Sequence, residues 1–278
     1  MIYVNRKSYP YMEEVNDGIL RQFRRLRPLT GRVLDVGCGR AALGEAVGAL
    51  GWEVWGIEQS AEACATAAKR LDRLVEADLH DLDRVDAALG ATRFDALVFS
   101  DVLEHVYDPR GTLEKYLEYV KPGGRVFISV PNAVVWTNRL RLMCGRVEYA
   151  DTGVMDRTHI RFFTFRTAKA LARASGCTID YTTSTPYLVR AFLPLLKGLL
   201  SRGSDNIPHN PRALIESRGY RWYMRWLYPV EHLISCLWRK MLAFRIIVVA
   251  TRPVTHSKAV LPAQAPSRSL QEVGGHLS

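Results

Sequence analysis

From Arg32 onward, short apolar runs alternate with stretches whose apolar positions recur at helical spacing. That alternation predicts an α/β chain with a mostly parallel sheet and crossover helices. The runs place strands at Arg32–Val36, Glu53–Ile57, Leu74–Ala77, Phe94–Ser100 and Arg125–Val130. Asp108 fits an N-cap with Pro109 at the first helical position, and Leu113, Leu117 and Val120 then share a face. Lys121-Pro122-Gly123-Gly124 stops that helix and turns into the next strand. Further helices are expected from Asn132 to Cys144 and from Thr164 to Gly176. Past Gly176, Cys177–Thr185 and Phe244–Thr251 read as a last antiparallel pair separated by a helical insertion. The expectation is a Rossmann-like sheet of seven strands. Residues 29–252 would form its domain, with the insertion at 187–242, a lid in 1–28 centred on Tyr9–Phe23, and a disordered tail in 253–278.

Composition changes this picture only where it is localised. The net charge is +10, and residues 186–278 carry 13 Lys and Arg against four acids. The rest is nearly balanced, so the C-terminal third is the part that seeks an anionic partner. Five cysteines without a C-x-x-C pair argue against a zinc site or a disulfide framework. MIYVNRKSYP has no apolar core of a secretory signal, and no run reaches the ~20 apolar residues of a spanning helix. The expected location is cytoplasmic, with a peripheral place at the inner membrane face as the variant.

The chemistry starts at Val33-Leu34-Asp35-Val36-Gly37-Cys38-Gly39, a buried strand running into a glycine turn with a helix behind it. Glycines let a backbone approach a ligand closely, and a helix N-terminus offers unpaired N–H groups. Gly37-x-Gly39-x-x-Ala42 also satisfies a loose dinucleotide fingerprint, so an NAD-dependent oxidoreductase enters as a rival. Asp35 discriminates. A carboxylate at the strand's carboxyl end attracts a cationic amino acid and repels a pyrophosphate. Glu58 closes the second strand, where an acid accepts ribose hydroxyls of either cofactor.

VLDVGCG, GIEQS with Glu58, VEADLHD with Asp78, FDALVFSDVLEHVYDP and VKPGGRVFISVPN together resemble class I S-adenosylmethionine-dependent methyltransferases, over residues 32–131 in order and spacing. The resemblance implies their fold and their donor, S-adenosylmethionine. It puts Gly37, Cys38 and Gly39 at the methionine end with Asp35 near its ammonium. Glu58 would hold the ribose, Gln59 would sit beside the adenine, and Asp78 and Leu79 would flank it. Ser100, Asp101 and Val102 would end the fourth strand beneath the sulfonium. Asp156-Arg157-Thr158-His159-Ile160-Arg161-Phe162-Phe163-Thr164 is similar to a segment of the MetW-like and ubiquinone O-methyltransferase branch. That similarity implies a small-molecule, glycan or lipid-linked acceptor, methylated at oxygen or nitrogen.

An alcohol or phenol acceptor profits from a general base, and a neutral histidine suits that role near pH 7. His159 and His105 are the candidates; the bland alternative for each is a hydrogen-bonded loop residue. Asp101, Glu104 and His105 are similar to a metal-binding D/E-x-x-E-H string of ubiquinone O-methyltransferases, but the string also occurs in metal-free relatives, and no metal is assigned. In the insertion, Trp222, Trp226 and Trp238 are interleaved with Arg218, Arg221, Arg225, Arg239 and Lys240, and Ala191–Leu200 is a companion amphipathic segment. These suit a membrane interface or simply cap the acceptor pocket. Nucleic acid fits less well, because the fourth strand ends in SDVL and no nucleic-acid-binding module is present. A non-catalytic S-adenosylmethionine-binding partner protein stays open beside the enzyme. Oligomeric state is not legible.

Overall fold

The computed structural model describes residues 15–26, 30–187 and 223–254. Seven strands form one sheet: β1 Arg32–Val36, β2 Glu53–Glu58, β3 Arg73–Glu76, β4 Phe94–Ser100, β5 Val120–Pro131, β6 Thr178–Pro186 and β7 Ala243–Thr251. Their spatial order is β3-β2-β1-β4-β5-β7-β6. β1 lies between β2 and β4 with parallel pairing on both sides, and β7 runs antiparallel to both β5 and β6. Strands are added outward from β1 to β3 on one side and from β4 to β5 on the other, so the switch point lies between the carboxyl ends of β1 and β4. Ligands in such sheets bind outside the carboxyl ends at that switch point.

Two apolar layers cover the sheet. On one face, α1 (Asp17–Arg25) and α2 (Ala42–Gly48) set Ile19, Leu20, Phe23, Leu43 and Val47 against Val33, Val98, Phe127 and Ile247. On the other, α4 (Leu82–Leu89), α5 (Pro109–Leu117) and α7 (Phe165–Ala174) bury Val85, Leu113, Tyr116 and Ala168 against Leu34, Leu97 and Ile128. α3 (Ala61–Ala67) follows β2 and is capped by Ser60, whose hydroxyl accepts from the Ala63 amide. α5 begins as its sequence dictates, with Asp108 accepting from the Gly111 amide and Pro109 at the first turn.

Three expectations are corrected. Val120 does not share the α5 face; it starts β5 opposite Phe94, and Lys121–Gly124 lies inside that strand, where the register shifts. Fully buried Val120 gains a strand partner there that a helix end lacks. The helix expected from Asn132 is shorter, α6 Trp136–Met143. Asn132 is held back because its buried side-chain amide donates to the Ala243 carbonyl at 2.9 Å. Residues 17–23 are not a lid: Ile19, Leu20 and Phe23 pack into the sheet layer, and a Cβ on Gly18 would meet Ile247 at 2.8 Å. The part of the expected lid before residue 15 lies outside the described residues, as do Ala191–Leu200, Arg218, Arg221, Trp222 and the tail from 255.

Candidate active site

At the carboxyl end of β1 the chain leaves the sheet through Gly37 and Gly39, both at positive φ (70° and 56°). A Cβ on Gly37 would lie 2.8 Å from Val102 Cγ2, so only glycine lets the turn pass beneath the end of β4. The Gly37 and Cys38 amides donate to the Ile57 carbonyl and pin the turn against β2. Glu58 lies directly behind it. One carboxylate oxygen accepts from the Gly39 amide at 2.9 Å, and the other accepts from the Gln59 and Ser60 amides. The acid thus faces the turn, bridging the glycine loop and the start of α3.

Asp35 is 3% exposed, on the central strand between Gly56 and Val98. Its Oδ1 is buried and has no hydrogen-bond partner among the described residues. Burial, with a smaller push from the Glu58 charge, raises its pKa to about 7. Burial and the same two acids also push the Cys38 thiol well above its ordinary range. A buried acceptor without a donor costs stability, and two acids beside one turn make it attractive to a cation. The pair suits an ammonium and opposes a diphosphate.

The end of β4 is tied into a polar chain. Asn16, the N-cap of α1, donates through its amide nitrogen to Ser100 Oγ (3.1 Å) and Ser129 Oγ (2.9 Å). Ser129 donates onward to Asp101 Oδ1 at 2.8 Å, and Arg245 Nε donates to Asp101 Oδ2 at 2.6 Å. Asp101 sits at φ 56°, a left-handed conformation in which its side chain turns back to these partners. Asp101 therefore links β4, β5 and β7.

Beyond it, a 3₁₀ turn of Leu103–His105 meets the DRTHIRFF segment. The Ile160 and Arg161 amides donate to the Glu104 carbonyl, and Asn132 bridges to Phe163, so the segment lies over the ends of β4 and β5. His159 is buried; its Nδ1 faces the Val154 carbonyl at 3.0 Å, and its Nε2 lies 3.9 Å from Glu104 Oε1. His105 is half-buried, with Nδ1 facing the Thr158 carbonyl at 3.1 Å, and the two imidazoles meet edge-on at 4.8 Å. A ring nitrogen facing a carbonyl carries the proton, which leaves Nε2 as the basic atom of each ring. Burial and the neighbouring His159 lower the His105 pKa, while burial and Asp101 push Glu104 well up. Both Glu104 carboxylate oxygens lack a hydrogen-bond partner among the described residues. Donor atoms of Glu104, His105 and His159 come within 4.8 Å of one another. A carboxylate with two imidazoles fits a divalent cation by donor type. Asp101, the first acid of the string that pointed to a metal, is instead committed to Arg245.

A family profile described as a methyltransferase domain matches residues 7–182, more than half of the chain. The chain belongs to the class I S-adenosylmethionine-dependent methyltransferase family. Among curated relatives of this methyltransferase-family chain, it is 34% identical to the ubiquinone biosynthesis O-methyltransferase of Paraburkholderia phymatum, over 59% of this chain and 72% of that protein. It is 37% identical to the enzyme of that name from Aromatoleum aromaticum, over 44% and 53% respectively. The match to the human mitochondrial enzyme of that name is 31%, over 58% and 45%. The chain thus spans about half the length of several curated relatives it matches. Among solved structures, a SAM-dependent methyltransferase from Archaeoglobus fulgidus aligns with TM-score 0.53 at 18% identity, over 84% of this chain and 93% of that one. The [4+2]-cyclase SpnF aligns with TM-score 0.52 at 20% identity, over 86% and 82%. Both likenesses concern the fold.

Within this methyltransferase fold, Asp35, Gly37, Cys38, Gly39, Glu58, Val102 and the β4 end gather at one edge of the sheet. Gln59 is exposed beyond Glu58, and Asp78 and Leu79 follow β3, with Asp78 accepting from the His80 amide. A cavity of about 400 Å³ lies farther out, between the β3–α4 loop and α5, lined by residues including Leu79, His80, Tyr107 and Thr112. It shares only Leu79 with the expected donor residues. Sequence reading missed Asn16, Ser129 and Arg245. Asn16 stood as a cap before an amphipathic run, and Arg245 as the lone charge in an apolar one; neither pattern names a partner far along the chain.

Proposed function

We propose that this protein transfers a methyl group from S-adenosylmethionine to an oxygen, or a nitrogen, of a small-molecule, glycan or lipid-linked acceptor. The observation that carries this reading is the buried Asp35 oxygen beside the glycine turn, which has no hydrogen-bond partner among the described residues. Asp35 would take the ammonium, the Gly37–Gly39 backbone the methionine end, Glu58 the ribose hydroxyls, and Gln59, Asp78 and Leu79 the adenine surround. When bound, the donor supplies a methyl carbon already activated by its sulfonium, so the chain's tasks are alignment and exclusion of water. Ser100, Asp101 and Val102 would form the floor under that carbon, held rigid through Asn16, Ser129 and Arg245.

His105, the less buried imidazole with a lowered pKa, would accept the acceptor's proton at Nε2. His159 would act through it as a positioning residue, packed edge-on against its ring. The similarity to enzymes named ubiquinone biosynthesis O-methyltransferase supports an oxygen of an aromatic or polyprenyl-linked molecule as the first acceptor class to try.

The decisive experiment offers purified protein and methyl-labelled donor to lipid and aqueous cell-extract fractions. Labelled product is expected, with His105→Ala lowering kcat about 10²- to 10⁴-fold while S-adenosylhomocysteine affinity is kept. Tight S-adenosylhomocysteine binding with no transfer would establish the non-catalytic partner reading instead. Binding of NADH in place of S-adenosylhomocysteine would overturn both. Transfer that is abolished by a chelator and restored by a divalent cation would add a metal at Glu104, His105 and His159.

A further inference from the structure

We infer that the carboxyl edge of the sheet, next to the proposed site, docks on an anionic lipid surface through α6 and the helices that precede β7. In α6 and the residues after it, apolar side chains point out of the protein. Leu140, Leu142, Met143, Val147 and Tyr149 are each more than half exposed, and Met143 reaches 85%. Asn138 is the one buried residue of α6. Arg139, Arg141 and Arg146 are exposed in the same stretch, against Glu148 alone. A helix that turns its leucines to solvent between arginines has the composition of an interfacial element, with the apolar chains for the acyl boundary and the cations for headgroups.

A second element repeats the pattern. α8 (Tyr228–Leu237) and α9 (Arg239–Leu242) lead into β7. Val230, Leu233, Leu237 and Trp238 are more than half exposed there, and Arg225, Arg239 and Lys240 are exposed beside them. Glu231, the acid of this stretch, is buried. The two elements meet at one place. Asn132, just before α6, donates to the Lys240 and Ala243 carbonyls, and Trp136 Nε1 in α6 donates to the Tyr187 carbonyl, whose own amide donates to Leu242. Three residues into β7, Arg245 reaches Asp101 at the end of β4. The apolar, basic elements and the β4 end therefore share one edge of the sheet.

Charge selects the occupant. Six cations interleaved with exposed apolar chains complement an anionic bilayer, where they reach headgroups while the apolar chains enter the boundary. The contact itself needs no assumption about catalysis. Its consequence, that a membrane-resident acceptor enters from the bilayer side, rests on the methyl-transfer reading.

The test is co-sedimentation of the full chain with phosphatidylcholine vesicles, with and without about a third phosphatidylglycerol. Binding only to the anionic vesicles, weakened by salt, is expected. Arg139→Gln/Arg141→Gln/Arg146→Gln should weaken it about 100-fold, at roughly fivefold per charge near such a surface. Leu142→Asp/Met143→Glu should abolish it. These side chains are exposed, so melting temperature and S-adenosylhomocysteine affinity should stay unchanged in both variants. No binding to anionic vesicles, or equal binding by the variants, overturns the contact. So does a wild-type dimer that Leu142→Asp/Met143→Glu converts to monomer, which assigns the patch to a second copy. Vesicle binding without donor binding keeps the contact and removes the enzyme reading; donor binding without vesicle binding does the reverse.

Discussion

Asp35 sits where two requirements conflict. Its burial opposes ionisation, yet a cationic ligand would be held by its charge. With a pKa raised to about 7 from an ordinary 3.8, the unliganded folded state holds a proton that the unfolded chain has already released. Its contribution therefore favours folding at low pH and is lost as pH rises from about 4 to about 7. Asp35→Asn should flatten that slope and raise the unliganded melting temperature above pH 7. The same change should weaken S-adenosylmethionine binding about 10- to 100-fold, the range of one charge-assisted hydrogen bond. Donor binding near pH 6 should release protons, read by calorimetry in two buffers of different ionisation enthalpy. A variant that melts no higher and binds the donor as tightly would separate Asp35 from the ammonium.

At the scale of elements, β7 is attached to the site as well as to the sheet. It pairs antiparallel with β5, Arg245 opposite Pro131 at one end and Thr251 opposite Arg125 at the other, and the Arg245 guanidinium reaches Asp101 at the end of β4. Both partners are mostly shielded, at 13% and 24% side-chain exposure. Arg245→Met should leave Asp101 with Ser129 as its remaining side-chain donor among the described residues. The expected cost is about 2 to 3 kcal/mol in denaturant unfolding, below that of a fully buried pair. Loss should be smaller in Arg245→Met/Asp101→Asn, because the uncompensated charge is gone. If the double variant is no more stable than the single one, the pair is not what holds this edge.

Across the whole molecule, one edge of the sheet collects the glycine turn, the polar chain, the imidazole corner and the exposed basic helices. Asn16 joins α1 to that edge. Its amide spans Ser100 on β4 and Ser129 on β5, and its side-chain oxygen accepts from the Ile19 amide. Asn16→Ala should cost about 1 to 2 kcal/mol, combining a lost cap with two unmet hydroxyl contacts. Unchanged unfolding midpoints would show that α1 is held by its apolar face and the Tyr181–Gln22 hydrogen bond without help from Asn16. No described helix is long and apolar enough to cross a membrane.

Much of this architecture was legible in the chain because it follows local rules. Apolar runs of strand length, the Asp108-Pro109 start and the glycines after β1 each act through neighbours in sequence, and β1, β2 and β4 fall at or within one residue of their expected limits. Val120 and Asn132 departed from expectation because each answers to a distant partner, Phe94 in one case and Ala243 in the other. His159 was marked by its motif, but only packing shows its Nε2 directed toward Glu104 rather than outward.

By itself, then, the amino-acid order determined the alternating α/β pattern, the glycine turn with acids at 35 and 58, and the basic bias of the C-terminal third. Tertiary structure alone decided that Asp101 is spent on Arg245, that Asn16 closes the polar chain, and that the leucines of α6 face outward. The division has a physical cause. Backbone propensity and periodicity act over a few residues, whereas ion pairs, orphaned carboxylates and exposed faces depend on which distant segments the sheet brings together.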